Sequence, residues 1–251
     1  MRASKQTSKG FTLIEMSIVL VIIGLIIAGV LVGKDMVTNA RVMKIINEVN
    51  NYTIAVDQFS ERFSYLPGDF PNAWSYWPSE GCSNSWVGAS GAGCNGNGNG
   101  QIYSFPGREQ LRAWQHLSLS GLVPQSYTGV LDGNAYRLGV NVAPSSAENA
   151  AYMIRYDASN TYNGKSGNNI MLGAKSGLAF LWGPALNSVN AWKIDKKLDD
   201  GTAWTGKVIG VDGYDGAATA TGCVDNGSTT PSNYVLTNNE VKCRMHFFLK
   251  K

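Results

Sequence analysis

The residue most at odds with its surroundings is Glu15. From Phe11 to Gly33 the chain runs 23 residues in which Glu15 is the single charge, and Met16 to Gly33 contain only Met, Ser, Ile, Val, Leu, Ala and Gly. A carboxylate carried into hydrocarbon is costly and is expected to have a named partner. Cleavage after Gly10 would create one, because the new α-amino group of Phe11, with an ordinary pKa of about 8, is a cation at the same depth. Residues 11 and 15 lie one helical turn apart, so the pair could close within one chain. It could also close between staggered copies, where an unpaired charge would disfavour every other register.

Other residue types capable of chemistry are sparse. Cys82, Cys94, Cys223 and Cys243 allow three pairings, and sequence proximity favours Cys82–Cys94 and Cys223–Cys243. With no C-x-x-C and two histidines, a metal centre built on cysteine is disfavoured. Asn95, Asn97 and Asn99 alternate with glycines at the D-x-[DN]-x-[DN]-G spacing of a Ca²⁺ loop. Asparagine can offer carbonyl oxygens, yet affinity tracks ligand charge, and the twelfth position is Pro106 rather than an acid. Ca²⁺ at Asn95, Asn97 and Asn99 is therefore the one cofactor to weigh, against a glycine-rich turn closed by Cys82–Cys94. Asp199-Asp200-Gly201 reads as a turn before it reads as a metal site. Gly164-Lys165-Ser166 ends like a phosphate loop, but Ser159 holds the place of its first glycine. Neither H-E-x-x-H nor G-x-S-x-G is present. No enzyme is indicated.

These groups need elements to position them. Eighteen uncharged residues at 1.5 Å each make roughly 27 Å of helix, close to a bilayer's hydrocarbon thickness. Beyond it, Val42, Ile45, Ile46, Val49, Tyr52, Val56, Phe59 and Phe63 recur at three- and four-residue steps, the pattern of a helix with one apolar stripe. Together they predict one helix from Phe11 to Phe63, ended by Leu66-Pro67-Gly68-Asp69. A second helix is expected over Arg108–Ser120, with Leu111, Trp114 and Leu117 inward and His116 part-buried, and another over Pro184–Leu198. Strands are expected at Tyr136–Val142, Ala151–Tyr156, Asn169–Gly173, Leu178–Trp182 and Trp204–Val211. The final strand alternates from Val241 to Lys250, which would put Cys243 inside and His246 on a wet face. A Cys223–Cys243 bridge would close its loop for about 3 kcal/mol in the chain-entropy model.

Charge sets the compartment. Arg2, Lys5 and Lys9 precede the apolar run without an acid, which keeps the N-terminus cytoplasmic and sends the remainder outside the inner membrane. Removing those three leaves 18 basic residues against 18 acidic ones. A formally neutral chain argues against a strong nonspecific nucleic-acid binder. A secretory signal would have a shorter apolar core and be cut after it.

Lys9-Gly10-Phe11-Thr12-Leu13-Ile14-Glu15 followed by a long apolar helix resembles the class III signal of type IV prepilins and type II secretion pseudopilins. The resemblance implies cleavage between Gly10 and Phe11 by a prepilin peptidase, N-methylation of Phe11, and Glu15 as the assembly carboxylate. It implies an inner-membrane assembly platform and a homo- or hetero-oligomeric filament, at the cell surface or in the periplasm, as partners. It also implies a C-terminal disulfide-bounded loop on the exposed surface. Where many members have a proline late in the helix, this chain has Gly24, Gly29 and Gly33, which could loosen it. The expected organisation is a leader over 1–10, a membrane and filament-core helix over 11–33, its amphipathic continuation over 34–63, and a head over 64–251. The fold class is α+β: a long N-terminal helix packed on a mostly antiparallel sheet with short inserted helices. Three roles compete: pilus subunit, secretion pseudopilin, and a minor or tip subunit whose Trp74, Tyr76, Trp77 and Trp86 bind DNA or surfaces.

Overall fold

The computed structural model describes residues 10–78, 83–86, 93–103, 108–131, 135–162, 165–176, 181–214, 219–226 and 232–250. Its contacts divide the chain into two units, one ending at Arg41 and the other beginning at Val42.

In the first unit, helix α1 (Leu13–Phe63) begins and runs unbroken through Gly24, Gly29 and Gly33. The large apolar side chains here, Leu13 to Val37, are exposed on every face. By length and composition this segment can cross a membrane.

In the second unit the same helix changes use. Val42, Ile45, Ile46, Val49, Ala55, Val56 and Phe59 are buried, forming the stripe expected from the three-and-four spacing. Tyr52 sits edge-on to Trp114 of α3 (Glu109–Leu119) at 4.8 Å and to Tyr152 at 5.2 Å, so the stripe packs on both helix and sheet. Ser64 follows the helix with φ of 60°, and Ser64 N donates back to Ser60 O. A short helix α2 (Ala73–Tyr76) and a parallel pair, β1 (Ser83–Trp86) with β2 (Gly93–Asn95), come next.

The main sheet contains β3 (Ala143–Pro144), β4 (Ala150–Tyr162), β5 (Lys165–Ala174), β6 (Leu186–Asn187), β7 (Val208–Tyr214), β8 (Thr219–Ala220) and β9 (Val241–Phe248). Its order is β3-β4-β5-β9-β7-β8, with β6 also on β9 and every pairing antiparallel. β4 and β5 form a long hairpin in the register Ile154 opposite Ile170, and Ile170 faces Phe247 of β9. Helix α3 packs on β4, and α4 (Ser188–Leu198) packs on β7 and β9. This is the α+β arrangement of a long N-terminal helix on an antiparallel sheet, with short helices and a Cys223–Cys243 disulfide.

Several local expectations need correction, each for a polar reason. Residues 136–142 do not form a strand: the chain curls around the buried Asn141 amide, which accepts from Arg137 N and donates to Val130 O and Ala135 O. The last helix starts at Ser188 rather than Pro184, because Leu186 and Asn187 first pair with β9 and Asn187 Oδ1 then caps Asn190 N at 2.9 Å. Strand β7 starts at Val208 rather than Trp204, since the preceding loop winds around the carboxylates of Asp199 and Asp200. Leu181 and Trp182 are not in a strand, and Leu178 lies outside the described residues.

His246 is the largest correction. It is fully buried rather than wet. Strand β9 is interior to the sheet, flanked by β5 and β7, and the face carrying His246 also carries Arg155, Asp157 and Asn169. Alternation predicts which side a residue points to; it does not say whether that side is covered.

Candidate functional site: the N-terminal motif

Gly10, Phe11 and Thr12 precede the helix, and Phe11 is 79% exposed. Among the described residues, and leaving aside its chain neighbours, no heavy atom lies within 4 Å of a Cβ built on Gly10. Thr12 is the N-cap and Glu15 the third helical residue. Glu15 Oε2 accepts from Thr12 N and Thr12 Oγ1, each at 2.7 Å, while Glu15 N donates to Thr12 Oγ1 at 3.3 Å. This reciprocal closure is a capping box, and it satisfies backbone donors that the helix itself cannot. The expectation for Glu15 named only a cation partner and missed this cap, although Thr12-x-x-Glu15 is visible in the sequence. Both bonds accepted by the carboxylate use Oε2, leaving Oε1 without a donor among the described residues. The carboxylate can therefore keep its cap and still meet a cation.

In the asparagine loop each side-chain oxygen accepts from a backbone amide. Asn95 Oδ1 accepts from Trp74 N, Asn97 Oδ1 from Asn99 N, and Asn99 Oδ1 from Gln101 N. The loop's amides converge on an acid instead. Gly98 N and Asn99 N donate to Asp69 Oδ1 at 2.7 and 3.1 Å, and Gly100 N donates to Oδ2 at 2.7 Å. Burial raises the Asp69 pKa and these amides oppose it. Glu109 holds the loop from the other side, accepting from Asn97 N and Tyr103 N. Glycine is needed where this loop closes on the preceding turn: a Cβ at Gly96 would lie 2.2 Å from Asp69 C, and one at Gly68 (φ 87°) lies 2.3 Å from Glu109 O.

Asp195, Asp199 and Asp200 gather within 4.8 Å, yet their oxygens receive Gly201 N and Tyr234 OH, Lys207 N and Val208 N, and Thr202 N and Thr205 OH. They tie a turn, as an Asp-Asp-Gly sequence suggests.

Two buried histidines act as joints. His116 Nδ1 accepts from Gly68 N at 2.9 Å, which leaves Nε2–H to donate to Cys94 O at 3.1 Å. One neutral ring thus links the turn after α1, helix α3 and strand β2. Burial pushes its pKa down to about 3. His246 Nδ1 faces Asn169 Oδ1 at 3.1 Å and Asp157 Oδ2 at 3.2 Å, and both are acceptors, so Nδ1 carries the proton. Burial lowers His246 to about 4 against the pull of Asp157. Burial alone would raise Asp157, but the hydrogen bond from His246 and the Arg155 guanidinium at 2.6 Å help bring it to about 2. Neither histidine is placed to serve as a base at an exposed surface.

The aromatic residues weighed as a binding face are largely committed to packing. Trp77 lies 5.6 Å from Phe63 and 5.7 Å from His116, while Tyr76, edge-on to Phe63 at 5.5 Å, remains 61% exposed. Trp74 packs against the core as a half-buried residue, and the Trp86 side chain lies outside the described residues. Cys223 and Cys243 are bonded, Cys94 is also in a disulfide, and Cys82 lies outside the described residues.

Comparison with curated proteins and with solved structures returns no match. A family model described as a prokaryotic N-terminal methylation motif matches residues 5–31, spanning Gly10, Phe11, the capping box and most of the exposed apolar helix. The chain therefore carries, at residues 5–31, the class III signal of type IV pilins and pseudopilins.

Proposed function

We propose that this chain is a structural subunit of a type IV pilus or pilus-like filament. A prepilin peptidase cuts between Gly10 and Phe11, Phe11 is N-methylated, and the inner-membrane platform assembles the product with other pilins. Before assembly the protein sits in the inner membrane with its N-terminus cytoplasmic; afterwards it belongs to a surface or periplasmic filament. The observation that carries this reading is the match at residues 5–31 on a helix whose apolar side chains are exposed all round. A helix apolar on every face is not satisfied by water and needs lipid or copies of itself.

In the filament, Glu15 meets the Phe11 amine of a neighbouring copy while Thr12 still caps the helix. Electron microscopy of sheared surface material, with N-terminal sequencing of its main protein, tests the proposal. Filaments whose subunits begin at methylated Phe11 support it; a mature product that retains residues 1–10, or remains monomeric, refutes it. Filaments confined to the periplasm and tied to export identify the pseudopilin role instead. Glu15→Gln should leave cleavage intact and abolish assembly, whereas Thr12→Ala, which removes only the cap, should still assemble.

A further inference from the structure

A cavity of about 690 Å³ opens beside the turn end of the β4–β5 hairpin, between it, the end of β9 and the asparagine loop. Lys165, Lys207 and Lys250 line it, and no acidic residue among the described residues does. Its apolar surface includes Tyr156 and Phe248, with Lys165 Nζ held 5.1 Å from the Phe248 ring centroid. The walls are fixed in advance. Asn168 Oδ1 accepts from Ile102 N and Asn168 Nδ2 donates to Gly100 O, while Phe248 N donates to Lys207 O and Tyr156 N to Ile102 O. Gln101 also lines the cavity. An adjoining groove, which shares Lys250 with the cavity, has Asp57, Glu61 and Asp69 among its lining.

We propose that this cavity binds an acidic sugar. Its size falls in the range of small-ligand sites. The lysines supply the cation for a sugar carboxylate, and Tyr156 and Phe248 offer rings to the apolar C–H face. The elements disfavour a nucleic-acid strand: three lysines beside an acidic groove, on a chain that is neutral after cleavage, give short-range charge rather than a track for phosphates.

Titration calorimetry on the full chain in non-ionic detergent, with polygalacturonate, free galacturonate, galactose and oligothymidylate as probes, tests this. Polygalacturonate should bind and galactose should not. Combined Lys165→Gln, Lys207→Gln and Lys250→Gln should weaken binding by about tenfold or more at an unchanged melting temperature. The charge-matched set Lys175→Gln, Lys196→Gln and Lys197→Gln, outside the cavity, should retain binding. Lys250→Gln alone should weaken it by roughly threefold, so the site remains testable if the triple variant folds poorly. Competition by free galacturonate supports a single-sugar site, and binding of the polymer without such competition supports a polymer-borne one. Equal loss in both lysine sets, no binding of polygalacturonate, or tighter binding of oligothymidylate would overturn the proposal.

Discussion

Two stretches of α1 carry similar apolar side chains and use them in opposite ways. Around Ile23 every face of the helix is greasy and nothing in the unit covers it; around Ile45 one stripe is buried and the remaining faces carry Arg41, Lys44 and Asn47. Backbone hydrogen bonding is continuous through both. What separates them is the fraction of the helical wheel that is apolar. A stripe matches a folded partner on one side, while a full circle can be satisfied only by an apolar medium or by other copies. The carboxylates differ in the same sense. Glu15 is capped but exposed, whereas Glu48 accepts from Ser146 N, Ser146 Oγ and Tyr152 OH, tying α1 to the sheet.

The comparison is broken most directly by equal truncations on its two sides. Ile45→Ala should destabilise the fold by about 2–5 kcal/mol, because a fully buried side chain leaves a cavity. Ile23→Ala should change unfolding by no more than about 0.5 kcal/mol. Denaturant unfolding in detergent measures both, and equal effects would erase the distinction. Paired Cys223→Ser and Cys243→Ser should cost about 3 kcal/mol, since the bridge closes a loop of sequence separation 20. Its effect belongs to the second unit alone, so micelle insertion should be unaltered.

Acid should also act on one side only. His246 is held at about 4, below its ordinary 6.5, so between these values the unfolded chain binds a proton that the fold refuses. That contribution is complete above about 6.5 and is lost as pH falls toward 4, a change on the order of 3 kcal/mol. Unfolding midpoints of the parent and His246→Gln should diverge over this window, with the parent losing more. Asp157, at about 2, adds stability that is present above its ordinary value near 3.8 and is lost only below it. Parallel pH profiles would remove His246 from the account. The smallest effect concerns the asparagine loop: with each Oδ1 already taken by a backbone amide, calcium or a chelator should shift the melting temperature by less than about 1 °C.

Much of this was legible in the residue order because it rests on local periodicity or spacing. The stripe from Val42 to Phe59, helix α3, the β4–β5 segments and the methylation motif belong to that class. The misplacements share one cause. At 136–142, 184–187 and 204–207 a polar side chain or a distant strand claimed the backbone, and neither is visible in a window of neighbouring residues. Asp69 shows the same limit: its amide ring comes from residues 98 to 100, about thirty positions away.

The order of residues alone determined that a methylation motif at residues 5–31 sits on a helix apolar all round, because hydropathy and a short motif are properties of adjacent positions. Only the tertiary structure decided that His246 is dry, that the asparagine loop wraps an acid, and that three lysines far apart in sequence share one cavity. Burial and hydrogen-bond partners are set by which segments meet, and that meeting is a property of the whole chain.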